Sequence, residues 1–322
     1  MATHTTFRGF SNYWDAGLSE TLEQNLLLLT NWAFAGMGAF AVVEKGASGW
    51  YGGDQSRLRL SEDPNYTKGQ VWEGFRRDWV WETGVDYSSQ PVRTSGVYVN
   101  NTFYPVSTTG AYAHVVDYPN GRVIFSSAIN PSSTVQANFT YRYTHVTTAD
   151  DPIWREVQTY SLRADDSHFL QYGSGVWSTS PMNRLQLPAV IIKASPNLHI
   201  RSVNIGGSNT VVQQSVDFFI LAETDRDRKQ LHDIFSRQWA KRFNLFDVNR
   251  VYAVTGYPLD ANGSPVVSGK MYPEMVAPYT DGGYGSTQLR VEGISSAELP
   301  MQNYGGLEGA VVRWTCEVDM VG

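Results

Sequence analysis

The pattern of apolar and polar positions begins with a helical stretch. Apolar residues dominate 26–43, which predicts a buried helix that runs into a strand. Thr21 is followed three residues later by Gln24, a pair that fits a capping box, so we expect the helix to begin near Ser19 or Thr21. Residues 46–82 are rich in Gly, Trp and Arg without a period, which favours irregular structure.

In the middle of the chain the period changes to two, which is typical of strands. A first hairpin is expected over 96–106, with two asparagines at its turn, and a second over 112–125, with a turn at Asn120-Gly121. Residues 134–146 alternate cleanly, so we expect one strand with a packed and a wet face, which forms an antiparallel unit with the hairpins. The expected wet face consists of Gln136, Asn138, Thr140, Arg142 and Thr144.

Further strands and one amphipathic helix are expected in the second half of the chain. The strands should cover 186–193, 198–204, 210–221 and 310–321. The helix should cover 225–244, and the Thr224 hydroxyl, three residues before Asp227, is suited to cap it. Its apolar stripe would be Leu231, Ile234, Phe235, Trp239 and Phe243. Cys316 falls on the packed side of the last strand, so we expect a buried, inert thiol.

These elements predict a mainly β fold. We expect an antiparallel sandwich or hairpin-rich sheets, a buried N-terminal helix and one amphipathic helix near 225–244. Three regions follow: 1–84 (an N-terminal arm, the first helix and the irregular Trp-rich segment), 85–222 (an antiparallel β domain) and 223–322 (the amphipathic helix with the C-terminal strands). No linker rich in Pro, Gly or Ser marks their boundaries, so a single composite domain is the alternative.

Composition and charge narrow the class of protein. The chain has 322 residues and a formal net charge of −6, which argues against a dedicated nucleic-acid binder. Its single cysteine excludes an intrachain disulfide and a cysteine-based zinc site. No basic segment leads into an apolar run near the N-terminus, so we expect no secretory signal. The apolar run 26–43 is short for a membrane span, and its polar residues favour a buried helix over a membrane or fusion segment.

Local catalytic motifs are missing from the sequence. It contains no nucleophile elbow, no phosphate-binding glycine loop and no His-Glu-x-x-His motif, and its six histidines are scattered. We therefore predict no catalytic residue, no cofactor and no metal site. The densest acidic spots, Asp150-Asp151 and 165–168, suit turns, with a calcium-binding loop as the alternative. A carboxylate pair for glycoside cleavage stays open, because its separation depends on the fold.

Two groups of residues are candidates for an interface. The first group lies in the irregular segment and consists of Trp72, Phe75, Arg76, Arg77, Trp79 and Trp81. A local core patch, a subunit contact and a sugar-stacking platform all fit this composition. The second group belongs to the basic cluster of the late helix and consists of Arg228, Arg237 and Arg242. A solvated helix face, a docking surface for an acidic partner and a contact with DNA all fit this cluster.

Two parts of the chain resemble structural proteins of tailed-bacteriophage virions. Residues 117–125 (DYPNGRVIF) followed by 133–141 (STVQANFTY) look like a hairpin that is common in such proteins. The segment from Thr224 through 245–249 (LFDVN) is similar to a helix-and-strand element in phage neck and tail proteins. These segments cover a minor part of the chain.

The resemblance implies a non-enzymatic structural subunit of the virion, assembled in the host cytoplasm. It implies a homo-oligomeric ring at the neck, where head and tail join, formed through the sheets and the N-terminal arm. The implied partners are copies of the chain, other neck or tail proteins and, in passing, packaged DNA, with no membrane. Two alternatives stay open: a tail, baseplate or tail-tip protein that binds a receptor or glycan and, with less support, a β-fold enzyme that cleaves glycosides.

Overall fold

Strands outweigh helices in this computed structural model, which describes residues 10, 12–48, 53–150, 186–202, 210–300 and 307–320. The first part contains α1 (Leu18–Gly36), β1 (Phe40–Val43), β2 (Arg57–Leu60), β3 (Val71–Glu73), β4 (Gly96–Val99), β5 (Thr102–Pro105), β6 (His114–Asp117), β7 (Arg122–Phe125), β8 (Val135–Ala137), β9 (Phe139–Arg142) and β10 (His145–Thr148). The second part contains β11 (Ala189–Ser202), β12 (Thr210–Ala222), α2 (Asp225–Ser236), β13 (Arg242–Phe246), α3 (Val248–Ala253), α4 (Tyr272–Met275), β14 (Gly285–Leu299) and β15 (Glu308–Met320). The expected mainly β class with a few helices is confirmed.

Helix α1 confirms the predicted helix that runs into a strand, but its N-terminus corrects the prediction. The N-cap is Gly17, without a side-chain cap, and Thr21 already donates its backbone N–H to the Gly17 carbonyl at 2.9 Å. Thr21 is therefore helical, so it does not form the predicted capping box with Gln24. The chain leaves the helix through Gly38, whose φ of 74° is in the left-handed region, and then enters β1.

A seven-stranded sheet contains both predicted hairpins. Its strand order is β5-β4-β8-β2-β3-β7-β6, so the hairpins β4–β5 and β6–β7 lie at opposite ends. The first hairpin turns through Asn100 and Asn101, both with positive φ, as the sequence predicts. Strands β2 and β3 lie in the middle of the sheet, so the expectation of irregular structure over 46–82 was wrong in part. Each has at most four residues, which is too short to reveal a period.

The predicted single strand over 134–146 is wrong. It is divided into β8 in the seven-stranded sheet, β9 paired with β1, and β10 in a six-stranded sheet. Because the chain changes sheets at each break, both of its faces are covered. Most of the expected wet face is therefore buried, namely Gln136, Thr140, Arg142 and Thr144.

The six-stranded sheet has the order β10-β11-β12-β15-β14-β13 and contains the long strands of the molecule. Strand β11 joins the strands predicted over 186–193 and 198–204, with a register shift between Ala194 and Leu198. Its pairing with β10 is parallel, and its pairing with β12 is antiparallel. Cys316 on β15 is fully buried, as predicted, and burial raises the pKa of its thiol to about 12.

Helix α2 confirms the predicted start of the amphipathic helix but not its length. The Thr224 hydroxyl accepts the backbone N–H of Asp227 at 3.1 Å, as predicted. The helix ends at Ser236 rather than near residue 244, and the chain turns through Ala240 at a φ of 60°. Phe243 lies on β13, where it stacks against Trp314 of the same core at 5.8 Å. Because α2 and β13 face the same core, apolar residues of the strand fall at positions that continue the apolar stripe of the helix. The sequence pattern therefore extended the predicted helix into the strand.

Each large sheet has its own core, and α1 contributes to both. Leu28 packs in the core of the seven-stranded sheet, whereas Leu22, Leu26 and Phe34 pack in that of the six-stranded sheet. The predicted boundary between residues 84 and 85 separates β3 from β4, which share the seven-stranded sheet. The predicted boundary between residues 222 and 223 separates β12 from β13, which share the six-stranded sheet.

Candidate assembly interface

The aromatic residues of the first candidate group lie inside the core of the seven-stranded sheet. Trp72, Phe75, Trp79 and Trp81 are all buried. Trp79 stacks on Phe139 with ring centroids 4.2 Å apart, and its indole N–H donates to the Arg76 carbonyl at 2.9 Å. The indole N–H of Trp72 donates to the carbonyl of Gly69. These rings stabilise a single chain and present no free face to a sugar.

The two arginines of this group join neighbouring segments of the chain. Arg76 donates to the carbonyls of Leu187 and Tyr143, at 3.2 and 3.3 Å, so it connects the aromatic core to the start of β11. Arg77 is buried and donates to the Asn120 side chain at 3.0 Å. Both guanidinium groups therefore have intramolecular partners.

A buried ionic cluster lies where β9 leads into β10. Arg142 contacts Asp78 at 3.0 Å and Glu82 at 2.5 Å, and the second oxygen of Asp78 lies 3.1 Å from Nδ1 of His145. Arg142 also donates to the carbonyl of Asn31 in α1. The cluster therefore ties the helix to the segment 78–82 and to the two strands.

Electrostatics keeps the carboxylate of Asp78 charged inside this cluster. Burial alone would raise the pKa of Asp78, but the attraction of Arg142 and the hydrogen bond from His145 outweigh burial and lower it. The pKa of Arg142 is raised, because its two carboxylate partners outweigh the opposing effect of burial. Asp78 and His145 are each less than a tenth exposed, so a bound substrate has little access to this carboxylate–imidazole pair.

Arg228 in the second candidate group is also an internal residue. It is buried under the end of β14 and contacts Asp225 at 2.6 Å, Glu298 at 3.3 Å and Glu308 at 3.7 Å. These ion pairs connect α2 to β14 and β15. Arg228 therefore fixes the helix on the sheet.

Arg237, directly after α2, and Arg242, the first residue of β13, are both exposed. Trp239 lies between them and is 70% exposed, with its indole N–H donating to the carbonyl of Glu292 at 3.2 Å. Arg242 lies directly opposite Arg290 on the neighbouring strand, an unfavourable pairing of like charges. Of the nine candidate residues, these two arginines are the ones that the structure presents to solvent.

The far half of β11 is open along one edge. β10 pairs with β11 over Ala189–Ile192, and within the described residues no strand pairs with that side of Leu198–Ser202. Leu198 and Ile200 lie opposite Gln214 and Val212, so they point to the face of the sheet that carries the core. Ile200 is nevertheless 68% exposed.

The far half of β14 is open along the opposite edge of the same sheet. β13 pairs with β14 from Gly285 to Arg290, and no described strand pairs with that side of Gly293–Leu299. A register shift between Val291 and Gly293 marks the place where this open half begins. We call Leu198–Ser202 and Gly293–Leu299 the two open halves. Sequence reasoning missed both, because strand pairing is a tertiary property that a local period does not contain.

An exposed aromatic turn precedes α1. Tyr13 and Trp14 pack edge to face, and both are largely exposed. The turn is held to the body because the backbone of Ala16 makes reciprocal hydrogen bonds with the Asn249 side chain, at 2.6 and 3.2 Å. Two large aromatic side chains are therefore presented on an anchored segment, which is typical of a contact residue pair.

The predicted acidic spots give no metal site in the described residues. No group of three or more His, Cys, Asp or Glu side chains is placed to hold a metal ion there. Residues 165–168 lie outside the described residues, as does Asp151. None of the helices described above combines the length and the apolar character that a membrane crossing requires.

Comparisons with known proteins give no relative: no family model, no curated protein and no solved structure matches this chain.

Proposed function

We propose that this protein is a non-enzymatic structural subunit of a tailed-phage virion that forms an oligomeric ring at the neck. The resemblance in residues 117–141 and 224–249 supports the class of protein. The observation that carries ring assembly is the pair of open halves on opposite edges of the six-stranded sheet. Two different surfaces that meet head to tail generate a ring when the rotation between copies closes.

The partners in this proposal are copies of the chain, neighbouring neck or tail proteins and, in passing, packaged DNA. The anchored turn of Tyr13 and Trp14 supplies aromatic anchors for a protein neighbour, and aromatic residues are enriched in such contacts. Arg237 and Arg242 supply exposed cations for a contact with DNA or with an acidic protein.

The alternative of a glycan-binding tail-tip protein loses its main support. Its motivation was a stacking platform formed by Trp72, Trp79 and Trp81, and these three side chains are buried in the core. Sugar stacking requires an accessible aromatic face, so this segment does not favour the alternative over the ring.

Immunogold microscopy on virions from the source culture tests the proposal. We expect gold at the junction of head and tail, and we expect it to disappear when the antibody is first absorbed with the purified chain. Gold at the distal end of the tail would replace the neck with the tail tip. Virions without specific gold would contradict the virion assignment.

A further inference from the structure

We infer that the open half of β11 in one copy pairs antiparallel with the open half of β14 in the next copy. The six-stranded sheet then continues from subunit to subunit through main-chain hydrogen bonds. This inference rests on the proposed ring, since it names the surfaces that form it.

The directions of the strands suit this contact. β11 is antiparallel to β12, β12 to β15, and β15 to β14, so β11 and β14 run in opposite directions in one copy. The two open halves lie at opposite ends of the sheet, because across the paired strands Ile200 is level with Leu289 and Ser296 is level with Ile192. The next copy must therefore be offset along the strands by about six residues, the separation of Val312 and Val318 on β15, and rotation produces such an offset when the strands are tilted to the ring axis, as in a closed barrel. In this placement the β14 of the next copy meets β11 from the open side and is still antiparallel to it. The two core-bearing faces then stay on the same side of the extended sheet.

Apolar side chains on the two open halves fall on that common face. Leu198 and Ile200 point to it from β11, and Ile294, opposite Trp314, points to it from β14. All three side chains are at least partly accessible in the single chain. Antiparallel pairing would place them as cross-strand neighbours, and pairs of this kind contribute to the stability of a sheet.

The charges favour unlike edges over like edges. From Lys193 to Ser202, β11 carries Lys193, His199 and Arg201 and no acidic residue. From Glu292 to Leu299, β14 carries two glutamates and no basic residue. The side chains of Arg201 and Glu298 have partners in their own chain, yet they are 66% and 81% exposed. His199 and Arg201 lie on the face away from the core, whereas Glu298 lies on the core-bearing face opposite Ala310. Pairing two copies of one edge would bring like charges together on one face, whereas pairing β11 with β14 keeps these charges on different faces and avoids that repulsion.

Each of the two register shifts lies between the paired half of its strand and the open half, so it separates the proposed contact from the pairing with β10 or β13. One lies between Ala194 and Leu198 and the other between Val291 and Gly293, where the pairing with β10 and with β13 has ended. A bulge bends its strand and increases the local twist, so the strand beyond it is directed away from its former neighbour. Each open half therefore offers five to seven residues to another chain.

Cysteine cross-linking in the full chain tests the contact. The native Cys316 is fully buried, so introduced thiols are the reactive ones. We would make Ile200→Cys, Ser296→Cys and the double variant, and treat each with a short bismaleimide that spans direct and diagonal neighbours. The double variant should give a ladder of covalent oligomers. Each single variant alone should give none, and their 1:1 mixture should give covalent dimers only.

A control variant and the contrary outcomes make the test decisive. Val267→Cys is fully exposed and lies outside both open halves, so its mixture with Ile200→Cys should give no dimers. Cross-linking of one single variant with itself would show that like edges pair and would overturn the inference. Oligomers of the double variant without covalent products would overturn the inference and leave the ring. A chain that stays monomeric would overturn both, and unchanged melting temperatures would show that the variants fold.

Discussion

The two large sheets of this protein differ in how their edges are protected against pairing with another chain. In the seven-stranded sheet, both edge strands have four residues. β5 ends at Pro105, and a loop covers β6, where the Ser264 hydroxyl donates to the Val116 carbonyl at 2.7 Å and the Gly263 carbonyl accepts from Tyr118. In the six-stranded sheet, β11 and β14 have 14 and 15 residues, and each extends past its outer neighbour.

Short, proline-ended or covered edges are the usual protection against pairing with another chain. The seven-stranded sheet has this protection, and its aromatic and ionic groups are satisfied within one chain. Within the part of the chain that the structure describes, the six-stranded sheet leaves two long strand segments without this protection. The comparison indicates that Trp72, Trp79 and Trp81 stabilise the single chain, whereas the assembly surface that we propose consists of main-chain groups in the six-stranded sheet.

The largest effect is expected for the aromatic core of the seven-stranded sheet. Trp79→Ala removes a fully buried ring and its hydrogen bond, which should cost about 5 kcal/mol in the free energy of unfolding. The matched variant Trp239→Ala removes an exposed ring, so its cost should be below about 1 kcal/mol. Denaturant unfolding of both variants measures the difference. Equal costs would contradict the assignment of the first tryptophan to the core.

The buried ionic cluster should give the next largest effect. Arg142→Met leaves the carboxylates of Asp78 and Glu82 buried without their cation, which should cost about 4 kcal/mol. Arg237→Met is the matched control, because its ion pair with Asp233 is exposed and 3.7 Å long, and its cost should stay below about 0.5 kcal/mol. Urea unfolding curves of the two variants would decide, and a small loss for Arg142→Met would show that the cluster contributes little.

A smaller effect on stability should distinguish the two helix caps that were predicted from sequence. Thr224→Ala removes the hydroxyl that accepts the Asp227 N–H, which should cost about 1 kcal/mol. Thr21→Ala changes a residue inside α1, where Ala is a good helix former, so we expect no loss. Thermal unfolding of the two variants provides the measurement. A larger loss for Thr21→Ala would contradict the helix start at Leu18.

The smallest effect concerns pH. Burial lowers the pKa of His114 below its ordinary value of 6.5, against the opposing hydrogen bond to Tyr112. As the pH falls below 6.5, the unfolded chain binds the proton before the folded chain does, so the free energy of unfolding decreases until the pH passes the folded-state pKa. His114→Gln should reduce this decrease between pH 7.5 and 5.5, measured by denaturant unfolding at each pH. A pH dependence identical to that of the unchanged protein would argue against a buried neutral imidazole.

The sequence predicts this fold where a local rule decides the structure. The Asn100-Asn101 hairpin needs only residues that tolerate positive φ, and β15 needs only alternation over one long strand. Local rules fail where partners are distant. Arg142 occupies a polar position in an alternating pattern, which predicts that it is exposed. It is buried because it pairs with the carboxylates of Asp78 and Glu82, which lie 64 and 60 residues earlier in the chain.

The candidate interface was predictable only in part for the same reason. Arg237 and Arg242 are charged and exposed, as a solvated cluster predicts, whereas Arg228 in the same cluster is buried. Its acidic partners Glu298 and Glu308 lie on strands that are distant in sequence. The open halves depend on where β10 and β13 end. Pro196 and Gly293 lie at the two register shifts and are residue types that mark edges and bulges, but they do not specify where the neighbouring strands end.

Hydrogen–deuterium exchange of the full chain, compared between concentrated and diluted samples, tests the central claim most directly, since it reports main-chain hydrogen bonds at the edges themselves. We predict that Leu198–Ser202 and Gly293–Leu299 become protected together in the concentrated sample, while β5 in the seven-stranded sheet exchanges equally in both. Oligomers in which neither open half gains protection, or in which β5 gains it instead, would contradict the account.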